Sequence, residues 1–472
     1  MSLYNRFARN RARSRGMETV RRARISSAQI IPLSFLCAIL LGTVLLYLPI
    51  STAPGEETDL LTALFTSTTS VCVTGLVVVD TFSHWSLFGQ AVILVLIQLG
   101  GLGIVSVMAA LTLMLRRKIS LRNTLIIHDA FNLTSIHDLV SFLLKVVRWT
   151  FVVEAVGALL YLPEFIQRFG PARGIWNSVF TAVSAFCNAG IDTLGENSLT
   201  AYQTNIPVLS VTMLLIVLGG LGYIVWFDVV AVVRTARRKR YGPVTTLRRM
   251  SEHTKLVLVS TLVLIICGAL VFLLFEYHNP DTIGTMSFGG KVLNSIFQSV
   301  TFRTAGFASV PQEGMTPGAS LVGCVLMFIG GSPAGTAGGV KTVVFAVVIM
   351  NVLSFVRDRE DTVIFHRSVP EKLIRKANAI VTVMLLAIVI WLILLVTLSN
   401  CSVLDGLYEA CSALCTVGLS RDLTASLNTP GRILIILAMY MGRIGPISMA
   451  LFFNTRAGGN ITGSTEGVFI VG

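Results

Sequence analysis

The sequence predicts an all-α polytopic membrane protein with a pseudo-fourfold internal repeat. Three observations predict it. The chain is 54% hydrophobic and 13% charged over 472 residues, whereas an ordinary soluble domain carries about 25% charged residues. Many of its apolar stretches reach the ~20 residues that cross a hydrocarbon core. Four short segments that run into a glycine recur at steps of 115, 116 and 112 residues between the glycines. They read Cys72-Val73-Thr74-Gly75-Leu76, Cys187-Asn188-Ala189-Gly190-Ile191, Arg303-Thr304-Ala305-Gly306-Phe307 and Cys415-Thr416-Val417-Gly418-Leu419.

Each repeat has the same order: an apolar helix, a short amphipathic stretch, the glycine segment and a second apolar helix. An Arg-rich tail, 1–28, precedes the first. Repeat one (29–118) uses Ile30–Leu48, Leu60–Ser70 and Leu87–Leu115 around its glycine segment. Ile30–Leu48 follows basic residues as a signal peptide's core would, but the repeat needs it as its first helix. Repeat two (119–240) uses Val140–Leu162, Gly174–Phe186 and Ile206–Val233. Repeat three (241–358) uses Lys255–Phe275, Gly290–Thr301 and Gly318–Phe355; repeat four (359–472) uses Leu373–Leu398, Val403–Leu414 and Arg432–Phe453. That makes eight spans. The amphipathic stretches are too short to span and read as re-entrant hairpins. Non-helical backbone at membrane depth survives only where protein buries it or it lines a wet path. Four such segments on one axis make a central pore, where backbone carbonyls can ring a cation.

The filter candidates are Val73, Thr74 and Gly75; Asn188, Ala189 and Gly190; Thr304, Ala305 and Gly306; and Thr416, Val417 and Gly418. Arg303 is expected to point away from the axis and brace its loop by hydrogen bonds to pore-helix carbonyls, with Glu154 as the kind of partner it could have. A second glycine repeat, Gly100, Gly219, Gly330 and Gly442, follows the first by 25, 29, 24 and 24 residues. In repeats one and two the text is Leu-Gly-Gly-Leu-Gly and reads as smooth, closely packed helices. In repeat three, residues 330–341 are too rich in glycine and proline to stay helical. Gly330, Gly331, Gly335, Thr336, Gly338, Gly339 and Lys341 are therefore the gate candidates, just below the filter. Arg443 joins them: a charge in mid-helix costs about 2.5–3.5 kcal/mol on insertion scales and marks an ion path. A structural salt bridge is its alternative role.

The charge distribution excludes nucleic-acid binding and orients the chain. Of 37 basic residues, 25 fall in four clusters, within 1–24, 116–122, 234–249 and 357–376. Segments on the other side, such as Asp192–Thr204 and Glu276–Gly290, contain no Lys or Arg. That is the positive-inside pattern, with the N-terminus and basic loops cytoplasmic. The tail reads as an orientation signal or lipid-surface contact. Cys72, Cys187 and Cys415 share one repeat position and read as small side chains packed behind a turn. The six histidines (His84, His128, His137, His253, His278 and His366) read as exposed interfacial residues. No cofactor fingerprint or metal spacing stands out, so the chain is not expected to be an enzyme. A sodium-coupled symporter for another solute is the alternative, but such folds usually carry inverted repeats, and these four share one orientation.

The four loops, with Met441–Pro446 and the Glu466–Gly472 ending, resemble the Trk/Ktr/HKT potassium transporters, and most of all the KtrB-type membrane subunits of bacterial Ktr uptake systems. The resemblance covers about residues 25–472. It implies four M1–P–M2 units, each like one potassium-channel subunit, with K⁺ as the transported ion. It implies roles for the 330–341 interruption and Arg443 in restricting the pore. It implies a homodimer in the bacterial plasma membrane with Phe469–Gly472 at the contact, and an octameric cytosolic RCK ring of the KtrA or KtrC kind. Nucleotide (ATP or ADP) would act on that ring, and Na⁺ would stimulate uptake. Relatives that favour sodium carry serine at the first filter glycine; here all four positions are glycine.

Overall fold

The computed structural model describes residues 27–103, 136–195, 197–359 and 361–445. Nearly all of the Arg-rich tail, the 104–135 connection and the ending after Gly445, including Phe469–Gly472, lie outside the described residues.

The fold is helical, with one small hairpin, β1 (Val363–Ile364) against β2 (Arg367–Ser368). Its principal helices are α1 (Ser27–Leu46), α2 (Leu60–Cys72), α3 (Leu87–Leu102), α4 (Ile136–Phe169), α5 (Pro171–Cys187), α6 (Ile206–Leu221) and α7 (Tyr223–Lys239). There follow α8 (Glu252–Glu276), α9 (Phe288–Thr301), α10 (Pro317–Phe328), α11 (Thr342–Val356), α12 (Glu371–Ser399), α13 (Val403–Leu414) and α14 (Thr429–Ile444).

Local chemistry sets many of the helix starts. Asp59, Ser86, Asn205, Ser251, Ser287, Thr316, Ser402 and Asn428 each cap a helix by accepting a hydrogen bond from a backbone N–H in its first turn. Such a cap satisfies a donor that the helix itself leaves free. Proline follows the cap in α6, α10 and α14, where its missing N–H costs nothing.

The short helices α2, α5, α9 and α13 form the inside of the molecule. Their last two turns are almost wholly buried, from Thr66 to Cys72 and from Thr181 to Cys187, for example. The long helices lie outside them and turn apolar side chains outward. Leu262, Leu270 and Leu274 of α8, and Leu386, Ile390 and Ile393 of α12, are exposed. An apolar outer face of this kind suits a hydrocarbon solvent. Among the described residues, α8 and α12 are each long and apolar enough to cross a bilayer alone, and α6 with α7 would make a third span but for a 97° bend between them.

That bend corrects the expectation of smooth helices in repeats one and two. Helix α3 ends at Gly103 with φ +81°, and α6 ends at Gly222 with φ +86°. Helix α14 likewise ends at Gly445 with φ +92°. In the third stretch the chain leaves the helix after Phe328 and resumes at Thr342. Among the described residues, then, α6 is broken as well as the helix with the obvious run of glycines, and α3 and α14 end at glycines of positive φ. The physical reason is local at Gly222. A side chain there would collide with the Pro333 carbonyl, and the break is stitched from outside. The Ser332 and Thr336 N–H groups donate to the Gly220 and Gly219 carbonyls, and the Tyr223 N–H donates to the Ala334 carbonyl. The 330–341 segment thus supplies the partners that the helix end would lack.

Candidate functional site

Each glycine segment leaves its short helix by the same backbone path. Val73, Asn188, Thr304 and Thr416 adopt left-handed dihedrals, with φ of 55°, 59°, 68° and 50°. Two residues later Gly75, Gly190, Gly306 and Gly418 also have positive φ, 101°, 66°, 82° and 99°. The first positions tolerate non-glycine residues at a cost; the second ones sit against neighbouring backbone and could not. A Cβ on Gly75 would collide with the carbonyl of Ala189, and one on Gly418 with that of Thr74. On Gly190 it would lie 2.7 Å from Ala305 O, and on Gly306 2.7 Å from Val417 O. Loop one therefore abuts loop two, two abuts three, three abuts four, and four abuts one. The contacts close into a ring, and the four carbonyls involved belong to Thr74, Ala189, Ala305 and Val417, all fully buried.

Short-helix side chains hold this backbone in place. The N–H groups of Gly75 and Gly418 donate to Thr69 Oγ1 at 3.0 Å and Ser412 Oγ at 3.1 Å. Thr301 Oγ1 donates to the Phe307 carbonyl at 2.6 Å. Sequence reading missed these three. A signal existed, because Thr69, Ser184 and Ser412 each precede their glycine by six residues. The C-termini of α2, α5, α9 and α13 lead directly into the ring, so their partial negative charge falls beside it.

The second glycine repeat lies directly behind the short-helix ends. A Cβ on Gly100, Gly219 or Gly442 would overlap the carbonyl of Val71, Phe186 or Leu414. Those three residues occupy one repeat position. In the third repeat Gly330 instead faces the Gly338 carbonyl. There the 330–341 segment has folded back into the space.

That segment touches the second, third and fourth quarters directly and reaches the first through Arg443. The Gly338 N–H donates to Thr304 Oγ1 at 3.1 Å. The Gly338 Cα packs so tightly on Thr416 that a Cβ would overlap its hydroxyl and stand 2.5 Å from Cys415 O. Thr336 Oγ1 donates to the Phe186 carbonyl at 3.1 Å. Arg443 Nη1 donates to Thr336 O at 2.7 Å and Nη2 to Gly100 O at 2.5 Å, tying the segment to the first quarter. Lys341 Nζ donates to Ala337 O at 2.6 Å and closes the segment on itself. Gly331 and Gly335 pack against the Gly220 and Gly219 carbonyls, and Gly339 against Gly330.

Two expected partnerships differ. Arg303 Nη2 donates to the Gly330 carbonyl at 3.2 Å, so it braces the interruption and not a short-helix carbonyl. Glu154 lies elsewhere: its carboxylate accepts from Gln98 Nε2 at 3.0 and 3.3 Å and faces Cys187 Sγ at 3.8 Å, behind the second loop. A buried carboxylate pairs with whatever donors surround it, and nothing local in the sequence shows which. His84 is also not exposed: it is 6% accessible, lies 2.9 Å from Thr58 Oγ1 and 3.4 Å from Glu56 Oε2.

A helical bundle with an apolar exterior, four inward loops and a buried, cation-fringed interruption defines a membrane protein of the ion-transport class. Residues 16–460 match the TrkH family model, described as cation transport protein, and the chain belongs to that family. It is a transport protein and not an enzyme. Among its relatives, the potassium/sodium uptake protein NtpJ of Enterococcus hirae is 34% identical over 92% of this chain and 94% of its own length. The Ktr system potassium uptake protein B of Bacillus subtilis is 34% identical over 94% of this chain and 96% of its own. Its namesake from Vibrio alginolyticus is 36% identical over 91% of each chain. The crystal structure of the potassium transporter TrkH from Vibrio parahaemolyticus superposes with a TM-score of 0.68 over 89% of this chain and 84% of that one, at 15% identity. At that identity the likeness speaks for the fold.

Proposed function

We propose that this chain is the ion-conducting membrane subunit of a K⁺ uptake system, built from four M1–P–M2 repeats around one pore. The ring of Thr74, Ala189, Ala305 and Val417 carbonyls is the filter and replaces part of the ion's hydration shell. One glycine per loop gives fewer ion sites than a full potassium channel holds. The membrane potential drives entry, at about 2.3 kcal/mol per charge per 100 mV. The segment 330–341, clamped by Arg443, Thr304 and Thr416, is the gate. The observation that carries the reading is the closed ring of loops with this segment seated against three quarters and tied to the first by Arg443.

Regulation by a cytosolic nucleotide-binding ring, stimulation by Na⁺ and a homodimeric assembly in the plasma membrane, with basic loops cytoplasmic, belong to the same proposal. The basic clusters support the orientation, and the printed name of the Enterococcus relative, a potassium/sodium uptake protein, is in keeping with Na⁺; the ring and the dimer are what the resemblance implies. The gate would then be a two-state element whose populations the ring shifts.

The test is growth of a potassium-uptake-deficient bacterium at low external K⁺, paired with rubidium tracer uptake into proteoliposomes. Tracer uptake is measured with and without Na⁺ and with and without the ring protein. Rescue together with tracer uptake is expected. Uptake of an organic solute with no rubidium flux would overturn the assignment.

A further inference from the structure

Directly behind the second loop is a cavity of about 10 Å³. Its walls come from five elements of the second and third quarters. Asn188 belongs to the second loop, Arg303 to the third, Gly220 to the end of α6, Thr261 to α8 and Gly331 to the interrupted segment. Ile216, Val217 and Val300 supply its apolar walls.

The polar groups on those walls are unpaired within the protein. Both side-chain atoms of Asn188, Thr261 Oγ1 and Arg303 Nε are buried without a hydrogen-bonding protein partner among the described residues. The three residues are 1%, 6% and 8% exposed. The three residues that carry these four orphaned atoms all line one small space, whereas buried polar groups ordinarily find a partner. They are also complementary. Arg303 Nε–H and the Asn188 amide N–H donate, Asn188 Oδ1 accepts, and the Thr261 hydroxyl does either. The space admits one water and nothing larger, and a buried water ordinarily makes about three such bonds.

We propose that this cavity is a binding site for a single structural water that links the filter to the gate. The water accepts from Arg303 Nε–H and donates to Asn188 Oδ1 and Thr261 Oγ1. Because Arg303 also holds the Gly330 carbonyl through Nη2, one solvent molecule joins the second loop, the third loop and the start of the interrupted segment. A chloride would suit the guanidinium but is too large for the space. The site stands on geometry alone; only its consequence for flux rests on the function proposed above.

The test uses Gly220→Ala in the full-length protein. A methyl at Gly220 would sit 3.6 Å from Asn188 Nδ2 and 3.7 Å from Ala337 Cβ, which is ordinary contact. It fits, and it takes up space beside Asn188 on the cavity wall. In a wild-type map that resolves other interior waters, density is expected at the site and is expected to be missing in Gly220→Ala. The melting temperature separates a bridging water from a dry void. Alanine is favoured over glycine in a helix, so filling a void would raise the melting temperature, whereas expelling a bridging water lowers it. Thr261→Val, which keeps the shape and removes one partner, should lower it less. An empty wild-type cavity in such a map, or a Gly220→Ala protein that melts higher, overturns the proposal. Rubidium flux is a separate readout: changed flux in Gly220→Ala supports the link to the gate. Loss of the water with unchanged flux would leave the site standing and refute the linkage.

Discussion

The hydrogen bond from the Gly338 N–H to Thr304 Oγ1 fixes how firmly the interrupted segment is seated, and Thr304→Val isolates it. Valine is close in shape to threonine and lacks only the hydroxyl. The left-handed backbone at this position, φ 68°, does not forbid it, because Val73 occupies the matching position of the first loop at φ 55°. The substitution therefore leaves the ring backbone alone and strips the acceptor from a buried amide. An unsatisfied buried donor costs about 1–3 kcal/mol. That cost falls on the seated state alone, since an unseated segment can turn the Gly338 N–H to water. A shift of about 1–3 kcal/mol is roughly 5- to 150-fold in a two-state equilibrium. Basal rubidium flux in proteoliposomes without any partner protein should rise toward that factor, levelling off once most molecules are unseated. The purified variant should elute as the wild type does and still melt in one cooperative transition. Unchanged flux in a well-folded variant would refute the idea that this segment closes the path.

Other perturbations probe neighbouring parts. Arg443→Gln removes two charge-assisted bonds to the Thr336 and Gly100 carbonyls, each worth about 1.5–3 kcal/mol. Its basal flux should exceed that of Thr304→Val, and a folded variant with lower flux would count against the clamp. Gly75→Ser places a side chain against the Ala189 carbonyl at φ +101°, so discrimination of K⁺ over Na⁺ in competition flux should weaken. Retained selectivity would move the filter elsewhere. Hydrogen bonding from Thr62 holds the Asp59 carboxyl, the cap of α2, below its ordinary value. A depressed carboxylate adds stability above its unfolded value of about 3.9 and loses it as pH falls through the folded one. The melting-temperature gap between wild type and Asp59→Asn should therefore close on acidification below about pH 4, and a gap that widens there would contradict the cap.

Much of the ring was legible because glycine is needed there for two reasons at once, a positive φ and a backbone neighbour. Both requirements leave a residue type in the sequence, repeated four times at one period. The proline and five glycines of 330–339 were legible for the same reason. The breaks at Gly103 and Gly222 were not. A Leu-Gly-Gly-Leu-Gly run suits a tightly packed helix as well as a broken one, and the glycine penalty of about 1 kcal/mol is too small to decide. What decides at Gly222 is the approach of Pro333 and Ala334 from far along the chain. The pairings of Arg303 with Gly330 and of Glu154 with Gln98 are hidden for a similar reason. A buried charge must find donors or acceptors, but backbone carbonyls and amides carry no residue identity to read. His84 misled because a histidine between apolar segments looks interfacial, and only the folded 52–58 turn covers it.

The ring of loops also has an order in time. Loop one leans on loop two, two on three, and three on four, and each of those neighbours is made soon after the last. The final contact, Gly418 against the Thr74 carbonyl, joins the newest quarter to the oldest. During synthesis the Thr74 carbonyl must stay without its neighbour through most of translation. The arc of three quarters is an open horseshoe, and its ends meet only when the last repeat has entered the bilayer. A ribosome that stalled before residue 418 would therefore leave a chain with most of its spans in place and no closed ring.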